Sequence, residues 1–308
     1  MTTSLDPTST EQPVGPPAGL PKFGVGLLYN PALPGFLRAH LDTVDFLEVI
    51  PDTFWTDRGP AHSPRYCEIE ESVKVLNWVA ERRPIIAHSI GLSIGSADLF
   101  DPQHIDQIAL WHRRYHFPWH SDHLSFVRVK GATGYGHEAG MAVPIPYDDD
   151  MLQIIAERTA CVQATVPAPF LLENNVYFVE LPEQQMTEAQ FLNRLAAKTG
   201  CGLLLDVHNV YANARNHAFS ASEFIDQLDL TRVVEVHIAG GSELAGMYTD
   251  SHAGPCPQPV WDLLRHVVAS ATHLRAITFE FHDSYFRFLG DQGILDQLRQ
   301  ARDIWSGA

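Results

Sequence analysis

Carboxylate, imidazole and amide side chains recur along this chain in one setting, at the end of a short aliphatic run. The fullest case is GLLLDVHNVYANARNH at 202–217, where Gly202 and Leu203 to Leu205 give way to Asp206, His208 and Asn209. Comparable endings supply Glu48, His88, Asp122 with His123, Glu173 with Asn174, His237, and Glu280 with His282. Asp250 and His252 follow the His237 run a short distance downstream. Oxygen and imidazole donors in this mixture, with no thiolate among them, suit iron, manganese or zinc and argue against a structural cysteine-based zinc site. A lone histidine at a strand end is more often a hydrogen-bonded structural residue than a ligand. Six or more such ends gathered in one place are different, because buried carboxylates and imidazoles would repel one another or go unsatisfied. Cations satisfy them together, and the donor surplus points to two or three ions. Donor types alone do not separate redox from hydrolytic chemistry, since both use a metal as Lewis acid or oxygen-binding centre.

Gathering these ends requires a fold that aligns them. Eight runs read as strands: 23–30, 45–55, 84–95, 117–126, 169–178, 202–209, 233–241 and 276–283. Amphipathic segments near 68–82, 102–115, 148–163, 187–199, 221–229, 257–272 and 291–304 read as helices between them. Such a βα rhythm closes most simply as a (β/α)8 TIM barrel, in which site residues sit at the C-terminal strand ends. A doubly wound open sheet is the alternative, but no GxGxxG follows the first strand, and the polar groups recur after nearly every strand instead of at one switch point. Residues 1–20, rich in Pro, Ser and Thr, are expected to be a disordered tail, leaving 21–308 as a single metal-binding barrel domain. In the last segment, Ile294, Leu295, Leu298 and Ile304 are available as the apolar face of a closing helix. The glycine-rich stretch 127–146 reads as an irregular loop at the mouth, either a lid or plain surface.

The chain's 308 residues carry 21 Lys+Arg against 37 Asp+Glu, a formal charge of −16, which disfavours nucleic acid and anionic membranes as partners. No apolar run approaches the roughly 18 residues of a membrane span, and the N-terminus lacks a signal pattern. A cytoplasmic location is expected. Cys67, Cys161, Cys201 and Cys256 are widely spaced, form no CxxC and read as free thiols.

Six ordered motifs carry a family likeness: HSIGLSIGS (88–96), SDHLSF (121–126), LLENN (171–175), LDVHNVYANARNH (205–217), VVEVHIAGG (233–241) and TDSHAGPCPQPVWDLL (249–264). Together they resemble the multinuclear non-haem iron-dependent oxidative enzymes, typified by the methanobactin biosynthesis oxidase and the oxidase of 3-thiaglutamate biosynthesis. The likeness spans about residues 22 to 285. It implies a TIM barrel with two or three iron ions, at least one ferrous and one ferric, and O2 as co-substrate. It also implies a ribosomally made precursor peptide as substrate, modified most often at cysteine, and a separate leader-binding partner protein; a homodimer is left open. Carried over by motif, the implied iron ligands are His88, His123, Glu173, Asp206, Asn209, His237, Asp250, His252 and Glu280, with Asp206, His237 and Asp250 at the reacting centre. Asp122 and Asn174 are expected to orient neighbouring ligands. Three departures stand out: His208 where many relatives have Asn, Asp52–Thr53 where an acidic–Asn pair is expected after Glu48, and TFEFHD in place of a Glu-Trp-Asp-like ending, which supports Glu280 but not His282. The other readings are a divalent-metal hydrolase or isomerase on the same barrel, and a non-catalytic metal-binding scaffold.

Overall fold

The computed structural model describes residues 15, 17–131 and 136–307. Most of the expected tail, residues 1–14 and 16, lies outside the described residues, as do 132–135 of the 127–146 stretch. Eight parallel strands close into a barrel: β1 Gly24–Leu28, β2 Leu47–Val49, β3 Ile85–Ser89, β4 His120–His123, β5 Phe170–Glu173, β6 Gly202–Asp206, β7 Val233–Ala239 and β8 Ala276–Glu280. Each strand pairs with the next in sequence, and β8 pairs back onto β1. Helices packed outside cover the strands on their second face, so the strand residues are buried except His123 at the end of β4, which is half-buried.

Helices α1 Pro34–His40, α2 Glu70–Ala80, α3 Pro102–Tyr115, α4 Asp149–Thr165 and α5 Glu188–Thr199 occupy the first five crossovers. Their ends follow from sequence. Asp101 caps α3 with Pro102 in its first turn, and the Thr187/Gln190 pair forms a capping box on α5, which stops at Gly200 in the left-handed region. The remaining helices are α6 Val207–His217, α7 Ala221–Asp226, α8 Gln258–Ser270 and α9 Phe286–Ser306, the last kinked at Gly290. Ile294 and Leu298 of α9 are fully buried, and Leu295 and Ile304 pack partly buried beside them.

Within the barrel, side chains stack in layers. Phe46, Ile86, Trp119, Leu171 and Leu204 form an apolar plug, against which Leu20 and Phe23 pack from outside. Two residues further along the same strands stand Glu48, His88, Ser121, Glu173 and Asp206. A period of two puts both sets on the inward face, so the plug fixes the depth and direction of the polar layer above it. On β7 the register skips a residue: Leu203 pairs with Val233 but Leu204 with Glu235. This bulge lets Val234 join the plug while Glu235 and His237 also point inward.

The strands expected over 45–55, 84–95 and 169–178 end early, at Val49, Ser89 and Glu173, and two further stretches differ in kind from the sequence reading. The strand expected over 202–209 ends at Asp206, and His208 and Asn209 lie in the first turn of α6. The reason is local: one carboxylate oxygen of Asp206 accepts from the backbone N–H groups of His208 (2.7 Å) and Asn209 (2.9 Å), which starts the helix at once. The stretch 127–146 is no irregular loop where described, since Phe126–Lys130 and Gly136–Val143 pair antiparallel. Val127 and Val129 alternating with Arg128 and Lys130 give the strand period that the neighbouring glycines obscure. Similar hairpins, Trp55–Asp57 with Tyr66–Glu68 and Ser242–Leu244 with Met247–Thr249, follow β2 and β7 on the same end of the barrel.

Candidate metal centre

Glu173, at the end of β5, is the hub. Its Oε2 lies 3.2 Å from Nε2 of both His88 (β3) and His123 (β4), and its Oε1 lies 3.7 Å from Nδ1 of His237 (β7). His237 is 3.2 Å from Glu280 Oε1 through Nδ1 and 2.9 Å from Glu48 Oε2 through Nε2. Glu280 Oε2 approaches His252 Nε2 at 3.4 Å. His252 Nε2 and His208 Nδ1 both lie 3.0 Å from Asp250 Oδ1. The result is one continuous string of alternating imidazoles and carboxylates across six strands, the loop after β7 and the first turn of α6.

Apart from these imidazole–carboxylate approaches, many of the donor atoms have no hydrogen-bond partner among the described residues. The orphans include both oxygens of Glu48, Glu173 Oε2, Asp206 Oδ2, Asn209 Oδ1, Asp250 Oδ1 and both ring nitrogens of His208 and His237. Buried polar atoms are almost always paired, so such a concentration calls for a guest. His88, Glu173 and His237 have donor atoms within 4.8 Å of one another, as do Glu48, His237 and Glu280. Oxygen and imidazole donors in this density could hold a metal ion.

Burial and mutual charge pull the groups apart in acidity. Burial, then the Asp250 carboxylate, pushes Asp206 up to about 7. Burial also lifts Glu173 well above the usual carboxylate range and lowers His123 to about 4. For His252 burial works the other way from its neighbours and loses: the Asp250 and Glu280 carboxylates raise it to about 10. Opposed shifts of this kind mark sites built for chemistry or for an ion's charge.

Supporting contacts hold the donors in place. Asn174 clamps the end of β6, its Oδ1 accepting from Asp206 N at 2.9 Å and its Nδ2 donating to Asp206 O at 3.0 Å. Asn209 donates to Asn174 O at 3.1 Å, which leaves its own oxygen free. Ser121 Oγ meets His88 Nδ1 at 2.9 Å, so Nε2 is the nitrogen turned to Glu173. His252 reaches the cluster from a left-handed backbone position, φ 49°. Its segment packs directly on Gly240: Ala253 N donates to Gly240 O at 2.8 Å, and a Cβ at Gly240 would lie 2.6 Å from the carbonyl oxygens of Ala253 and Pro255.

Of the residues expected from sequence, Glu48, His88, His123, Glu173, His208, His237, Asp250, His252 and Glu280 make the string, and Asp206 and Asn209 border it. Asp122 is buried but apart, accepting from Leu92 N at 3.2 Å and so fixing the loop after β3. His282 is outside, its side chain 64% exposed and engaged with Ser284. Asp52 serves the same loop as Asp122, its Oδ2 accepting from Ile90 N at 3.2 Å and its Oδ1 lying 3.0 Å from His104 Nε2. Sequence reasoning passed over Glu235. It is fully buried beneath His237, receives Trp119 Nε1 and Thr278 Oγ1 at 2.7 Å each, and is pushed by burial up to about 8. Its two-residue offset from His237 was the available signal.

A cavity of about 400 Å3 opens onto His88, His123, Glu173, Asp206, His252 and Glu280, with Phe54 and Phe281 among its walls. A guest molecule can therefore reach the donors directly.

A family model described as RiPP precursor modification enzyme MbnB/TglH/ChrH matches residues 22–304. The chain is 32% identical over 283 residues to a UPF0276 protein of Rhizorhabdus wittichii, covering 92% of this chain and 94% of that one. A UPF0276 protein of Bordetella pertussis is 34% identical over 259 residues, covering 82% and 84%. Among solved structures, endonuclease IV from Thermus thermophilus superposes with a TM-score of 0.54 at 14% identity, over 94% of this chain and all of that one. D-Psicose 3-epimerase from Clostridium cellulolyticum gives 0.54 at 12%, over 92% and 98%. At such identities these two likenesses concern the barrel fold alone.

Proposed function

The chain belongs to the MbnB/TglH/ChrH family of RiPP precursor modification enzymes, and from that premise we propose that it is an O2-dependent, multinuclear non-haem iron enzyme that modifies a residue, expected to be cysteine, of a ribosomally made precursor peptide. The observation that carries the reading is the shared Glu173 carboxylate. One side chain stands within 3.7 Å of three imidazoles from three strands, in a cluster rich in unpaired donors. A carboxylate placed so can serve two metal ions at once, which a mononuclear site has no need of.

In this reading His88, His123, Glu173, Asp206, Asn209, His237, Asp250, His252 and Glu280 would hold the iron ions. Bound iron would supply one-electron chemistry with O2. The protein's share is positioning. Asn174 fixes the turn that aims Asp206, Ser121 orients the His88 ring, and Gly240 admits the segment that brings His252 inward. Phe54 and Phe281 give the cavity apolar walls, which exclude water around a substrate side chain. An open cavity onto the donors also speaks for catalysis over a metal kept only for folding, where the coordination shell would be closed. The reading includes a separate protein that binds the peptide leader.

Co-expression with a short cysteine-containing open reading frame from the gene's neighbourhood, followed by intact-mass measurement of the peptide, tests it. A mass change that requires both iron and O2 is the expected result. An unmodified peptide together with hydrolysis of phosphate or isomerisation of sugar substrates would replace the proposal with the metal hydrolase or isomerase reading.

A further inference from the structure

A second cavity, of about 510 Å3, lies between the loops that follow β4 and β5, on the same end of the barrel as the metal centre but sharing no lining residue with it. Its walls include Ile145, Tyr147, Tyr177, Leu181 and Met186, and Val179 stands at its edge, 64% exposed. Amid these apolar groups is a carboxyl, Glu188, the first residue of α5. An acidic residue in the first helical turn is ordinarily solvated and interacts with the helix dipole from outside. Glu188 is instead only 8% exposed.

Its surroundings do little to compensate that burial. Tyr147 bonds the carboxyl through its hydroxyl, yet burial still pushes the group up to about 8. Arg194 is the cation close by, in contact with Met186 at 3.3 Å, and its guanidinium is committed to Asp149 at 2.7 Å. A buried carboxyl beside aromatic and aliphatic walls, in a cavity that Glu180, Gln184, Gln185 and Gln190 also line, is what an amphipathic cation fits. An aliphatic stem lies along the walls and a charged end restores the carboxylate that desolvation suppresses. The formal charge of −16 further favours a basic guest.

We propose that this cavity is a side-chain subsite for a basic residue, lysine or arginine, of the precursor peptide, with the stem against Tyr147, Tyr177 and Leu181 and the cationic end on Glu188. The assignment rests on the peptide-modification reading and adds a sequence preference to it, set away from the residue that reacts.

The test uses N-acetyl-arginine methylamide and its uncharged counterpart N-acetyl-norleucine methylamide, titrated by NMR into the full-length protein and two variants. In the wild type the arginine probe is expected to bind about tenfold more tightly than the norleucine probe, the gain of one charge-assisted contact. Glu188→Gln should erase that difference. Val179→Arg, a change at an exposed position that leaves folding intact, should weaken the arginine probe by placing the chain's own cation at the cavity. Equal binding of the two probes, or arginine binding unaffected by both variants, would overturn the subsite. Neither metal nor O2 enters this measurement, so the subsite and the oxidative reading fail separately. Discrimination without peptide oxidation would remove the latter alone, and oxidation with no discrimination would remove the former.

Discussion

Asp206→Asn should stabilise the metal-free protein while weakening its hold on metal. Asp206 has two tasks that the substitution separates. Its Oδ1 caps α6 through His208 N and Asn209 N, and an asparagine oxygen keeps that role. Its Oδ2 is buried with no hydrogen-bond partner among the described residues, and burial with the nearby Asp250 carboxylate raises the group from 3.8 to about 7. An acid whose folded pKa is raised contributes stability that is complete below the unfolded value, near 4, and lost as pH climbs through the folded value, near 7. Three units at 1.36 kcal/mol each amount to about 4 kcal/mol at pH 8, falling to about 2 if Asp250 and His208 readjust. Asparagine carries no such cost. In EDTA the variant is therefore expected to exceed the wild type by about 2 to 4 kcal/mol at pH 8 and by about 1 kcal/mol at pH 5. Urea unfolding followed by circular dichroism at the two pH values measures this, with iron content before chelation determined in parallel. A variant less stable than wild type at pH 8, a gain independent of pH, or unchanged iron content would refute the reasoning.

Three further outcomes follow from the geometry. His208→Asn should leave the fold intact but weaken iron binding about 10- to 100-fold at one part of the cluster, because the 3.0 Å contact with Asp250 is lost; anaerobic iron titration reads this. Gly240→Ala should destabilise the protein by about 1 to 3 kcal/mol in urea and lower its metal content, since the new methyl meets the backbone carrying His252. His282→Ala, at an exposed position outside the cluster, should leave iron content unchanged and stability within about 1 kcal/mol, as checked by the same two measurements.

The barrel was legible because its strands are buried on both faces and so read as unbroken aliphatic runs such as GLLL and AIT, each ending in a polar group. The depth of the site was legible for the same reason, since the step from Leu171 to Glu173 or from Leu204 to Asp206 is one period of a strand. Where the chain changes structure at the site itself, pattern fails. The VHNVYANARNH segment winds into α6 directly behind its strand because Asp206 serves as cap and site residue together, and hydrophobic runs do not register a cap. Glu235 was hidden because it stands in mid-strand and not at a strand end; it shares the inward face of His237 two residues on, and the bulge beside Leu204 lets Val234 face inward as well. His282 stood at the right sequence offset from Glu280, but a short turn begins there, and its ring caps that turn at the exposed edge of the cavity instead of joining the donors. The pairing of Asp52 with His104 joins segments 52 residues apart, a contact that only closure of the fold creates.

The most direct test of the central claim is Mössbauer spectroscopy on protein loaded anaerobically with 57Fe, alongside O2 uptake in the presence of the candidate peptide. Two or three iron ions per chain, with ferrous and ferric signals together and O2 consumption that depends on the peptide, is the predicted result. A single ion per chain, or full occupancy by zinc in protein grown with iron, together with no O2 uptake, would contradict it.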